Sequence, residues 1–409
     1  MKILVAGAST YGVKNAGDDA MLDVLCKRLR QLHPKLEIIF LARHPDTKFD
    51  KIHKINSIKN IEYDTKKESI GKWFFGFNPK DSSKHLEKIR DTLQEVDLVI
   101  IGGNAFMEVS PNDFMRGVSS YCATLAVWTK LFGKPFVLYG AAGHSLKQET
   151  TKQIIQFLCA NASLVTLREQ FIKNELIKAG AQKNKLKVFV DPVFGLDPIF
   201  EKNKGKLILK QEQIKLKKKN IVGICFRHVY WKWDKKTFEK YSNQIAKLCD
   251  YIIEKLDAEI LFIPNCIYEQ ANPLQDDRII SKIIQKKIKN KKSTHIIKGD
   301  LSLYERLSVY SLLDLVITNR RHVSIFSAIH NVPFISIGDD LDWQMKPFME
   351  QLRLKNQLIS LNNTDEQINK KIHLIWNERS KLSKSLAKNI PKLRKTSLKQ
   401  IDLISNLIT

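Results

Sequence analysis

Short runs of β-branched and aliphatic residues recur along the first half of the chain, at Lys2–Ala6, Glu37–Ala42, Val96–Ile101, Pro135–Tyr139, Leu164–Thr166 and Lys187–Val190. Between them lie stretches with apolar residues at helical spacing: Ala20–Leu32, Lys84–Leu93, Gly117–Phe132, Thr150–Ala160 and Glu169–Lys178. Strands that are apolar throughout and alternate with amphipathic helices predict a parallel sheet covered on both faces. The segment Phe49–Lys80 breaks this rhythm and reads as an insertion or a mobile loop. A polar, lysine-rich stretch at 201–220 reads as a linker, and the alternation then restarts. Strands are expected at Asn220–Phe226, Glu259–Pro264, His295–Ile297, Leu315–Thr318 and Pro333–Ile337, and helices at Lys235–Leu256, Asp276–Lys289, Leu301–Ser311 and Val323–His330. From about Thr364 the pattern is helical only.

The expected architecture is therefore α/β, with two Rossmann-like domains facing a cleft and a C-terminal helical tail that packs back. The bounds are 1–205, 206–363 and 364–409. Ligands of such sheets bind outside the carboxyl ends of the strands, so functional residues should lie just after strands.

The chain has 409 residues, long enough for two cores without staples. No run approaches the roughly 20 apolar residues of a membrane span. The six cysteines stand in apolar stretches with no CxxC pair, which suggests reduced core thiols and a cytoplasmic location rather than a disulfide or zinc framework. The start MKILVAGAS reads as a strand and loop rather than a signal peptide. A net charge of +25 invites a nucleic-acid reading. The lysines are spread along the chain, eight of them between Lys202 and Lys219, and no nucleic-acid-binding signature accompanies them. Solvated faces, or attraction to an anionic membrane surface or substrate, explain the charge better.

The residues after the strands supply the candidate chemistry. Asn15-Ala16-Gly17-Asp18-Asp19 opens a helix; either aspartate is a helix cap, or Asn15 and Asp18 floor a polar pocket. Gly102-Gly103-Asn104 permits close approach of a ligand or simply makes a tight turn. His144, in a glycine loop, is a substrate contact or a plain surface residue. Arg168 opposes the dipole of the helix it begins and therefore needs a partner, either a hydroxyl-rich ligand or Asp191. In the second half, Arg227 follows one strand, and Asn319-Arg320-Arg321-His322 follows another and opens a helix. Two guanidinium groups and an imidazole at a helix N-terminus favour a small polyanion, with structural salt bridges as the alternative. Trp231 and Trp233 flank Lys232 beyond Arg227 and are suited either to stack on sugars or to pack a loop. No cluster with metal-ligand spacing appears, so neither a metal nor a cofactor is expected.

These positions, in this order, resemble the polysaccharide pyruvyl transferase family. The resemblance rests on Asn15-Ala16-Gly17-Asp18, on Asp97 through Gly103, on Arg168-Glu169 through Gly180, on Asp191-Pro192, and on Arg320-Arg321-His322 followed by Val332-Pro333. It covers roughly 1–350, and it implies a fold like that of GT-B glycosyltransferases. It implies phosphoenolpyruvate as donor, held by the C-terminal domain, and a pair of sugar hydroxyls on a cell-surface or lipid-linked glycan as acceptor. Arg227 matches a family arginine that reaches the donor, and Arg320 and His322 match its Arg-x-His pair. In this scheme His322 is the acid and Asp18 orients or deprotonates the hydroxyl. Arg227, Arg320 and Arg321 bind the donor, while Asn15, Gly103, Asn104 and Arg168 face the sugar. Asn104 and His144-Ser145 depart from the family pattern on the acceptor side. A glycosyltransferase using a nucleotide sugar and a non-catalytic glycan-binding relative remain the alternatives, and peripheral contact with the inner face of the membrane accords with the charge.

Overall fold

The protein, described here as a computed structural model, is defined at residues 1–7, 14–61, 84–103, 105–108, 118–143, 145–229, 232–267, 273–339 and 345–408. Asn104, His144, Trp231 and much of the 49–80 segment lie outside the described residues. By its contacts the chain forms two compact units: residues 1–13, 18–195 and 393–409, and residues 14–17 with 196–392. The division after Gly195 falls ten residues before the expected boundary.

The strands, in chain order, are β1 (Lys2–Ala6), β2 (Lys14–Asn15), β3 (Glu37–Ala42), β4 (Asn56–Lys59), β5 (Leu98–Gly102), β6 (Phe136–Ala141), β7 (Leu164–Leu167) and β8 (Leu186–Val188). They continue as β9 (Asn220–Cys225), β10 (Ala258–Phe262), β11 (Cys266–Ile267), β12 (Thr294–Ile296), β13 (Leu315–Thr318), β14 (Phe334–Gly338) and β15 (Leu358–Ser360).

The first unit is built on a parallel sheet of order β4-β3-β1-β5-β6-β7-β8. All of β5 and β6 is buried, as both-face coverage requires. The strand order reverses between β1 and β5, which is the switch point of this sheet. The second unit repeats the plan with the order β12-β10-β9-β13-β14-β15, again parallel, and its switch point lies between β9 and β13. Its core gathers β-branched strand residues and the apolar stripe of helix Lys235–Lys255. That helix starts where the Asp234 side chain accepts the Thr237 N–H at 2.7 Å, and it buries Phe238, Tyr241, Ile245, Cys249 and Ile252, three or four residues apart.

The expected linker is instead largely helix, Lys202–Gln211. Its lysines project outward while Gly205, Ile208 and Leu209 are buried. A Cβ at Gly205 would stand 2.6 Å from the Ser308 carbonyl, so the glycine lets this helix lie tight on helix Leu303–Tyr310. The expected insertion contributes helix Thr47–His53 and edge strand β4. The tail is one long helix, Asp365–Ser405. Ile368, Ile372 and Trp376 join the core of the second unit. Beyond Leu393 the helix belongs to the first unit, where Asp402 accepts from Arg28 at 2.7 Å and Gln400 donates to the Val190 carbonyl at 3.2 Å. Among the described residues no helix is long and apolar enough to cross a membrane.

Candidate functional site

At the switch point of the second sheet, two strand ends are locked together by a side chain. Asn319, the residue after β13, accepts the Arg227 N–H through Oδ1 at 2.8 Å and donates through Nδ2 to the Arg227 carbonyl at 3.0 Å. Thr318 adds a second tie: its hydroxyl donates to the Cys225 carbonyl at 2.7 Å and accepts the Arg320 N–H at 2.9 Å. The turns carrying Arg227 and Arg320 are thus fixed to each other through their backbones. Helix Arg321–Ile329 follows at once, with Arg320 at its N-cap and Arg321 and His322 in its first turn.

Beneath this turn lies Asp277, 1% exposed. One oxygen accepts Arg320 Nε at 3.1 Å and also Arg320 Nη2. The other accepts the N–H groups of Asn265 and Cys266, each at 2.9 Å. A single carboxylate therefore joins the loops that follow β10 and β13. Burial is the largest single influence and works against the Arg320 charge, but Asp277, together with the neighbouring Cys266 and Cys225, raises the guanidinium's pKa on balance. The Cys225 thiol is pushed far up, first by burial and then by Asp277, and is a core thiol rather than a nucleophile.

The Asn15–Gly17 segment completes the cluster. β2 pairs antiparallel with β11, matching Asn15 to Cys266. Asn15 Oδ1 accepts Asn265 Nδ2 at 3.1 Å and the Gly17 N–H at 3.0 Å, while the Ala16 N–H donates to the Asn265 carbonyl at 3.0 Å. Asn15 thus caps helix Ala16–Leu32, where an aspartate cap was the simple expectation; Asp18 and Asp19 occupy its first turn, complementing the helix dipole. Lys14 is ion-paired with Asp300. His322 lies directly against Gly17: a Cβ there would fall 1.7 Å from its Nδ1. No side chain fits at that position while the imidazole holds its place.

The structure therefore brings together Asn15, Arg227, Arg320, Arg321 and His322 within one unit. The Arg320 guanidinium, expected to hold a ligand, is engaged by Asp277. Arg321 stacks its guanidinium 5.0 Å from the Phe348 ring centroid. Three other candidates take their structural reading. Arg168 Nη1 donates to Asp191 at 3.0 Å, both side chains buried. Gly103 makes a turn at φ +85°, its carbonyl accepting the N–H groups of Ala105 at 2.9 Å and Ala142 at 3.1 Å. Trp233 is buried and donates to Asp339 at 2.8 Å, and Lys232 pairs with the same carboxylate, so this loop packs inward.

Sequence reasoning named Asn319 without giving it a role, and missed Asp277 and Asn265. Asn265 and Asn319 do lie just beyond strands, the signal that flagged Arg320. It also missed Arg306, only 3% exposed on helix Leu303–Tyr310. Its Nη2 donates to the Leu301 carbonyl at 3.0 Å, while Nε and Nη1 meet no acceptor.

A family model described as polysaccharide pyruvyl transferase matches residues 15–340. The amylovoran biosynthesis protein AmsJ of Erwinia amylovora is 24% identical over 361 residues, 83% of each chain. Among solved structures, the UDP-GlcNAc 2-epimerase of Neisseria meningitidis bound to UDP-GlcNAc superposes with a TM-score of 0.63 at 11% identity over 100% of both chains. Alr3699/HepE of Anabaena, in complex with UDP and glucose, gives 0.62 at 14% identity over 99% of this chain and 98% of that one. These likenesses give the fold: two Rossmann-like domains of GT-B type with a C-terminal helix.

Proposed function

The chain belongs to the polysaccharide pyruvyl transferase family, and we propose that this polysaccharide-modifying transferase moves the enolpyruvyl group of phosphoenolpyruvate onto two hydroxyls of one sugar, forming a ketal on a cell-surface or lipid-linked glycan. The observation that carries this reading is the clamp of Asn15–Gly17 upon the turn bearing Arg320 and His322. It fixes an imidazole at a helix N-terminus, among three arginines that come from two adjoining strand ends.

Phosphoenolpyruvate carries a carboxylate and a phosphate on a three-carbon enol. Arg227 and Arg321, with the helix N-terminus, supply the charge and the planar donors such an anion needs. Arg320, held by Asp277, keeps the turn in register. His322 gives a proton to the methylene carbon, which becomes a methyl group, and the central carbon gains oxocarbenium character. A sugar oxygen bonds to that carbon, the bond to the phosphate oxygen breaks, and the second sugar oxygen closes the ring. Of the two hydroxyl protons, one restores His322 and the other leaves with phosphate or solvent. The arginines stabilise the departing phosphate. Asp18, the residue following Gly17, orients one of the two hydroxyls.

Incubation with phosphoenolpyruvate and glycan acceptors should release phosphate and yield a heavier glycan. His322→Ala should lower turnover by about 10²-fold or more. Full turnover by that variant removes His322 from the chemistry, and turnover with a UDP-sugar in place of phosphoenolpyruvate replaces the reading with glycosyl transfer.

A further inference from the structure

The long C-terminal helix carries a charge pattern that the reaction does not use. Within Asp365–Ser405, Lys381, Lys384, Lys388, Lys392, Lys395 and Lys399 follow one another at intervals of three or four residues, and all six are exposed. This spacing holds them on one face of the helix. No acidic residue occurs between Glu378 and Asp402. Of the helix's acids, Asp365 pairs with Lys247 and Asp402 with Arg28. Two leucines extend the same face: Leu374, two turns before Lys381, is 56% exposed, and Leu403, one turn after Lys399, is 39% exposed.

We propose that this lysine face is a docking surface for an anionic phospholipid bilayer. The charge is complementary to such a surface. The cations are all lysines, whose long stems and hydrated ammonium groups suit a fluid array of phosphates; base or phosphate readout on nucleic acid favours arginine. The terminal leucines can enter the headgroup boundary, as the apolar residues of interfacial helices do. This inference stands apart from the proposed reaction, because none of these residues belongs to the site above.

The test is sedimentation of the full-length protein with phosphatidylcholine vesicles, with and without a minority of phosphatidylglycerol. Binding should require phosphatidylglycerol and weaken steeply with salt. Changing Lys381, Lys384, Lys388 and Lys395 together to glutamine should weaken it about a hundredfold or more, at about fivefold per charge. A matched variant with Lys202, Lys206, Lys210 and Lys215 changed to glutamine removes the same net charge elsewhere and should keep most of the binding. Circular dichroism of both variants checks that the helix persists. Equal losses in the two variants would reduce the effect to net charge and overturn the proposal. So would absence of binding to phosphatidylglycerol vesicles, or tighter binding to a DNA duplex than to those vesicles.

Discussion

The two sheets share a plan but treat their switch points differently. In the first unit, Gly7 after β1 faces Gly102 at the end of β5 so closely that a Cβ on Gly7 would lie 2.0 Å from the Gly102 carbonyl oxygen. Bare backbone meets bare backbone there. In the second unit the corresponding strand ends are tied to each other by the side chains of Asn319 and Thr318, and arginines emerge from both. Each unit also buries an arginine that precedes a helix beside an aspartate: Arg168 with Asp191 in the first, Arg320 with Asp277 in the second. Asp191 also accepts the N–H of Val193, two residues away, whereas Asp277 ties together the loops that follow β10 and β13. The same topology thus yields a closed structural corner in one half and a charged, multiply anchored turn in the other.

The sharpest way to break that comparison is to remove the two aspartates. Asp277→Ala and Asp191→Ala should each cost about 3–5 kcal/mol in urea unfolding, because each strands a buried arginine. The two should part in ligand binding. Whatever Asp191→Ala molecules remain folded should bind phosphoenolpyruvate normally, whereas the Asp277 variant should lose binding with its loops. Equal binding by both would erase the distinction.

Acid should act on the second unit through His330. Its Nδ1 lies 2.6 Å from the Phe326 carbonyl and its Nε2 accepts the Ile199 N–H at 3.1 Å, so the neutral ring is the one that fits. Burial lowers its pKa to about 4 from 6.5, only partly opposed by the Phe326 carbonyl. The folded site refuses a proton that the unfolded chain accepts. This contribution is therefore whole above pH 6.5 and shrinks as the pH falls to about 4, by about 3 kcal/mol in total. Urea titrations across that range should show the slope, and His330→Phe should flatten it. An unchanged slope in that variant would assign the acid sensitivity elsewhere.

Glycine replacements give the smallest stability effect and a clear functional contrast. Gly103→Ala, with φ +85° and its nearest neighbour 3.7 Å away, should cost about 1–2 kcal/mol of backbone strain and leave activity largely intact. Gly17→Ala should unfold at nearly the same urea concentration yet lose activity as severely as His322→Ala, because the imidazole must leave its place.

Much of this plan is legible in the sequence. β1, β3 and β13 match the apolar runs residue for residue, and the helices agree to within a few residues, since burial on both faces writes a continuous apolar signal. The edge strands β4 and β15 were missed because Asn-Ser-Ile-Lys and Leu-Ile-Ser are too short to show a period. The lysines of Lys202–Gln211 masked a helix whose buried face is only Gly205, Ile208 and Leu209. At the site, Arg320 and His322 announced themselves by type and place. The partner of Arg320 did not, because Asp277 lies 43 residues away and looks like an ordinary residue of a helix's first turn.

The pairing of β2 with β11 has a consequence for how the molecule is made. A ribosome delivers Asn15 long before Asn265, whose amide it accepts 250 positions later. The two-stranded pairing cannot form until Cys266 and Ile267 have been made, and the early ribbon must then still be within reach to be recruited. A fragment beginning at Leu196 would fold around a missing piece, and a split of this polypeptide for expression should carry the Lys14–Gly17 ribbon along, as a graft at the new amino terminus or as an added peptide.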